Sequence, residues 1–130
     1  MLKLAIGLTP AALMLSVAIV VLMTIGGFAC SPARVSWYGH ESCISSPCRT
    51  RSGELFTGRD LTAAMADPRH IGEHWRATSL DTGRSVTVRV NDTGNMGKYG
   101  RALDLSKAAF LRIAPLKVGV ISVCLERISE

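Results

Sequence analysis

The sequence predicts a small, mainly β barrel of about six strands with one short helix, entered through a hydrophobic N-terminal segment. Three observations carry that expectation. The 130 residues allow one domain. Of the first 30 residues, 22 are apolar and only Lys3 is charged, whereas the remaining 100 hold 40 apolar and 24 charged side chains. Within those 100, short β-prone runs alternate with turn signals, and one good helix start occurs. Closure into a barrel follows because it leaves no long strand edge exposed. A multi-span membrane protein and a disordered tail are excluded, and a wholly cytosolic enzyme is disfavoured. The formal net charge of +5 suits an anionic polymer but is equally that of an ordinary soluble domain.

The leader comes first. After Lys3 an uncharged run extends from Leu4 to Ala29, long enough for a bilayer span, although Gly7, Pro10, Gly26 and Gly27 shorten its helical part. Residues 1–33 are therefore assigned to a signal peptide or membrane anchor, and residues 34–130 to the domain. Three fates are open: cleavage after Ala29, retention as an anchor, or lipid attachment at Cys30. Each exports the domain to the periplasm or cell envelope, and a retained segment makes the membrane a partner. Outside the cytosol, Cys43, Cys48 and Cys124 are candidates for a disulfide, with three pairs open and one thiol left over. A local bridge between Cys43 and Cys48 is easy to close, whereas one to Cys124 restrains more chain. Zinc held by these cysteines with His70 and His74 is disfavoured, because no CxxC pair is present and Gly72 interrupts a helix. No metal and no cofactor are expected.

Within the domain, Val35 to Tyr38 is β-prone and stops at Gly39. His40 to Ser52 is polar and reads as a loop. Leu55-Phe56 and Leu61 to Met65 are short apolar steps. Trp75 to Leu80 alternates and ends at the turn Asp81-Thr82-Gly83. Val86, Val88 and Val90 alternate with Ser85, Thr87 and Arg89 in the cleanest period-two run, which leads into Asn91-Asp92. A glycine-rich loop follows, then Leu103-Asp104-Leu105 and Ser106, a good N-cap for a helix over residues 107–113 that Pro115 ends. Residues 118–125 supply a last strand.

Four segments occur in the order of a known family: Ser36-Trp37-Tyr38-Gly39; Thr50 to Phe56 with Leu61 to Ala64; Gly83 to Val86 with Val90-Asn91-Asp92; and Gly100 to Ser106. Together they resemble the rare lipoprotein A-like domain, a six-stranded double-psi β-barrel, over Val35 to Leu125. The resemblance implies a lytic transglycosylase, a carbon–oxygen lyase that cleaves the MurNAc-β-1,4-GlcNAc bond of peptidoglycan and leaves a 1,6-anhydro end during cell-wall remodelling. Expansins and family-45 endoglucanases share the barrel, so a non-catalytic, expansin-like polysaccharide-binding module is the second reading.

The chemistry needs one acid/base group, because the muramyl C6 hydroxyl attacks its own anomeric carbon in place of water. Asp92 is the first candidate, at the end of the most regular strand. To act as an acid near neutrality it requires burial or a neighbouring carboxylate. Asp104 is the second, and together the two also fit an inverting hydrolase. Trp37 and Tyr38 are candidates for stacking on sugar rings, although neighbouring strand residues face opposite ways. Glu54, Asn91 and His70 complete the expected substrate-binding set. In the family's enzymes a His that assists the catalytic Asp follows the Thr-Ala-Ala step; here Met65 stands there. The expected partner is the peptidoglycan glycan strand, bound by a monomer. Nucleic acid is excluded, because no Lys/Arg stripe with interleaved aromatics is present.

Overall fold

The computed structural model describes residues 30–129, so the expected signal or anchor helix lies outside the described residues. The strands are β1 Ser31–Tyr38, β2 Thr62–Met65, β3 His74–Ser79, β4 Ser85–Thr93, β5 Leu103–Ser106 and β6 Ile121–Ile128. They close into a barrel in the order β1-β5-β2-β4-β3-β6. The pairs β1/β5 and β2/β4 are parallel; the other four are antiparallel. β1 begins at Ser31, so residues 31–33 belong to the barrel, where they pair with β6, rather than to the leader.

Alternation builds the core. Val86, Val88 and Val90 of β4 are buried, while the alternating Ser85 and Thr87 are exposed and Arg89 is half-buried. Val35, Ala63, Met65, Leu103, Leu105 and Val123 supply the same inner face from the other strands. The helix α1, Lys107–Leu111, closes one side of this core with Ala109 and Phe110, both fully buried. Ser106 starts it, accepting the Ala109 N–H at 3.2 Å while donating to the Asp60 carbonyl at 2.6 Å. The expected helix end was Ile113. The chain leaves α-geometry at Leu111, and Arg112 and Ile113 continue with the tighter i→i−3 bonds common at helix ends.

The cysteine pairing corrects the sequence reading. Cys30 bonds Cys124 across 94 residues, with Cα atoms 5.2 Å apart, and Cys43 bonds Cys48, with Cα atoms 5.7 Å apart. Setting Cys30 aside for lipid left an odd thiol; counting it leaves no free cysteine among the described residues. The physical reason is the β1/β6 pairing, which sets Pro32 opposite Cys124 and brings the residue just before β1 to that sulfur. A sulfur held in this bridge is not a lipid attachment point.

Candidate active-site groove

The groove lies on the outer face of β1, β5, β2 and β4, and a β-bulge creates it. Ala63 pairs with Val90, but Ala64 pairs with Asp92, so Asn91 is an extra residue on β4. Unbroken alternation after Val86, Val88 and Val90 would aim position 92 into the core. The bulge reverses that and turns Asp92 outward, a common use of bulges beside functional sites. On β2, Ala64 faces the same way, between the core residues Ala63 and Met65. Ala64 also pairs with Asp104 of β5, and Asp104 pairs with Ser36 of β1. Ser36, Asp104, Ala64 and Asp92 thus form one row across four strands. Two strand spacings separate the Asp backbones, roughly 10 Å, with only a methyl group between.

Each carboxylate is held differently. Asp92 Oδ1 accepts the N–H groups of Arg51 and Thr93, both at 2.9 Å. Its Oδ2 has the Tyr38 hydroxyl as donor at 3.4 Å, a long contact that leaves this oxygen available. Asp104 accepts from Ser36 Oγ, and the Arg101 guanidinium sits 3.2 Å from its Oδ1. Tyr38 stacks on Phe56 with centroids 4.7 Å apart. Burial, then the charge and hydrogen bond of Asp92, and then the charge of Asp104 push the Tyr38 phenol far above its usual range, so it remains a neutral donor. The cavity measures about 480 Å³. Asp92, Asp104, Tyr38 and Ala64 form its floor, and the 42–49 loop its wall.

Four expected groove residues lie elsewhere. Trp37 faces opposite to Tyr38, packs against the core and donates from Nε1 to the Leu116 carbonyl at 2.9 Å. Asn91, the bulged residue, is buried and donates to Glu54 at 2.9 Å. Glu54 also takes two bonds from Arg89, at 2.7 and 2.9 Å. This cluster clamps the 49–55 hairpin onto β4, and the Ser52 N–H donates to the Asn91 carbonyl at 3.0 Å. His70 is carried away by the Pro68–His70 turn: its Nδ1 lies 2.8 Å from Glu73, which also binds Trp75 Nε1 and Arg127. Met65 is part of the core, so a side chain at that position serves packing here.

The clamp has a pH signature. Hydrogen bonds from Arg89, then Asn91, hold the Glu54 carboxyl down at about 2, against an ordinary value of 4.5. A depressed carboxyl stabilises the fold fully above its unfolded value and loses that contribution as pH falls toward the folded one. Glu54→Gln is therefore expected to flatten the stability profile between pH 4.5 and 2 relative to wild type. Urea midpoints measured across that range check it, and parallel profiles would refute it. The side chain is 41% exposed, so the effect is small.

Sequence reasoning missed Ser36, Ala64 and Phe56, and the pairing of Arg101 with Asp104. Their roles follow from register and loop docking, which no local pattern encodes. Comparison with known proteins adds the following. A family model described as lytic transglycolase matches residues 31–125. No curated protein matches the chain in sequence. Among solved structures, the Streptomyces papain inhibitor is similar with a TM-score of 0.59 at 19% identity, covering 77% of this chain and 94% of the inhibitor. The apo expansin of Clavibacter michiganensis gives 0.60 at 19% identity, covering 78% of this chain and 51% of the expansin. A mutant of that expansin, solved in complex with cellohexaose, gives 0.59 at 18% identity, covering 77% of this chain and 50% of that one. At these identities the likeness to solved structures is one of fold.

Proposed function

Because this chain belongs to the lytic transglycolase family of rare lipoprotein A-like double-psi barrels, we propose that it cleaves peptidoglycan glycan strands as a lytic transglycosylase, with Asp92 as acid and base. The observation that carries this reading is the row Ser36–Asp104–Ala64–Asp92. It sets two differently held carboxyl groups over a floor low enough for a pyranose ring. Asp92 Oδ1 is fixed by two N–H donors, which leaves Oδ2 for proton transfer. In the first half of the reaction Oδ2 gives its proton to the glycosidic oxygen as the C1–O bond breaks. The muramyl C6 hydroxyl then bonds to C1 and returns its proton to Oδ2, which regenerates the acid and closes the 1,6-anhydro ring. Asp104, paired with Arg101, faces the positive charge that builds on the sugar ring in such reactions. The hydrophobic leader supports export to the envelope, where this polymer lies, and the expansin solved with cellohexaose supports polysaccharide as the ligand class.

Incubation with purified glycan strands is expected to release 1,6-anhydro-muropeptides, identified by mass spectrometry. Products with free reducing ends and no anhydro ring would sink the lyase assignment. One observation favours the second reading, an expansin-like binding module. Met65 is packed in the core, so no imidazole beside Ala64 assists Asp92. Wall binding with no released product is the outcome that reading requires.

A further inference from the structure

The wall of the groove carries a second constellation of chemistry-bearing atoms. The ligand atoms of His40, Cys43 and Cys48 all lie within 4.8 Å of one another. His40 and Cys43 are three residues apart about the 3-10 turn His40–Ser42, and side chains at that spacing share one face of such a turn. We propose that, once the Cys43–Cys48 bridge is reduced, His40 and the two thiolates form a zinc site on the groove wall.

Three observations carry this. First, each leg of the site has backbone bonds of its own besides the disulfide. The turn is closed by Ser42 N–H to the Gly39 carbonyl at 2.9 Å and by Cys43 N–H to the His40 carbonyl at 3.1 Å. Cys48 is held independently: its carbonyl accepts the Phe56 N–H at 2.9 Å, its neighbour Arg49 pairs with Leu55, and its side chain is buried. Breaking the S–S bond therefore leaves each leg its own backbone bonds. Second, the donor set is right for the ion. Two thiolates and an imidazole are zinc ligands, and tetrahedral zinc needs its sulfurs about 3.8 Å apart, a separation that the two sulfurs reach only by parting once the bridge is open. Third, three protein ligands leave a fourth position. Cys43 and Cys48 line the groove, so that position opens onto it and takes water.

The bridge closes a loop only five residues apart in sequence, and Cys43 is half-buried, so a dithiol can reach it. In the exchange the dithiol is oxidised to its own disulfide, its two hydrogens pass to Cys43 and Cys48, and the S–S bond breaks. Zinc then displaces both thiol protons, which are released to solvent.

The test titrates zinc chloride against a chromogenic chelator, with the protein reduced by a dithiol that is then removed anaerobically. Reduced wild type is expected to hold one zinc ion with the three ligands named. His40→Ala, which keeps all four cysteines, is expected to bind at least about tenfold more weakly, since even outer-shell losses cost that much. Oxidised wild type is expected to bind none tightly. Reduction also opens Cys30–Cys124, so Cys43→His is measured without reductant: it leaves that bridge intact and is expected to bind zinc through both imidazoles and Cys48. Equal zinc affinity in His40→Ala and wild type overturns the proposal. So does failure of both reduced wild type and Cys43→His to bind.

Discussion

Replacing Asp92 by Asn is expected to reduce release of 1,6-anhydro-muropeptides by at least about a hundredfold, the usual scale for a lost acid/base group. The substitution separates chemistry from architecture. An asparagine side-chain oxygen still accepts the Arg51 and Thr93 N–H groups, so the 49–55 hairpin stays docked and the groove keeps its shape. What is lost is a proton that can be given and recovered. Asp92→Ala removes both, which frees the Arg51 N–H as well, so it cannot discriminate. Product release measured by mass spectrometry, beside a circular-dichroism melt showing an unchanged fold, completes the experiment. An undiminished rate in Asp92→Asn would remove the catalytic assignment and leave a binding module.

Removal of the Cys30–Cys124 bridge by Cys30→Ala with Cys124→Ala is the second large effect. Loss of a crosslink enclosing some 94 residues enlarges the unfolded ensemble by about 4–5 kcal/mol on chain-entropy grounds. For a domain of about 100 residues that corresponds to a fall in Tm of about 16 °C or more. The Cys43–Cys48 bridge encloses a short loop, and the same relation assigns it only about 2 kcal/mol. The two double variants, melted side by side, should therefore fall in that order. Equal losses would show that the bridges act through the native state rather than through unfolded-chain entropy.

Much of the barrel was legible because its strands alternate. Val86, Val88 and Val90 announced β4 without ambiguity, and all three are buried. The ends of elements were harder. β1 runs back to Ser31 through Pro32 and Ala33, residues of poor strand propensity that are recruited by pairing with β6. Val118 read as the start of the final strand but closes the 3-10 turn Leu116–Val118 ahead of Gly119, whose φ of 76° breaks extended geometry, so β6 begins at Ile121. Both cases are tertiary context overriding local preference.

The site was legible in its residue types and opaque in its geometry. Asp92 and Asp104 stood out in the sequence, yet nothing local indicates that Ala64 lies between them, because that depends on one parallel and one antiparallel pairing. The bulge at Asn91 was equally hidden. A one-residue excess on β4 exists only relative to its partner β2, so Asn91 read as a ligand when it is the residue that turns its neighbour outward. His70 and Trp37 were candidates by chemistry alone, and the Pro68–His70 turn and the alternation of β1 decided their places.

The crosslink between Cys30 and Cys124 also has a mechanical meaning. It sits at the point where the chain enters the barrel, immediately before β1, and its other end lies within β6. Tension applied through the residues before Cys30 is therefore shared at once between the first and last strands. The load reaches two antiparallel neighbours through a covalent node, so β1 cannot be peeled away from its first hydrogen bond inward. Such a load falls on the strand pair β1/β6, while Asp104, Ala64 and Asp92 lie on other strands and only Ser36 and Tyr38 tie the groove to β1.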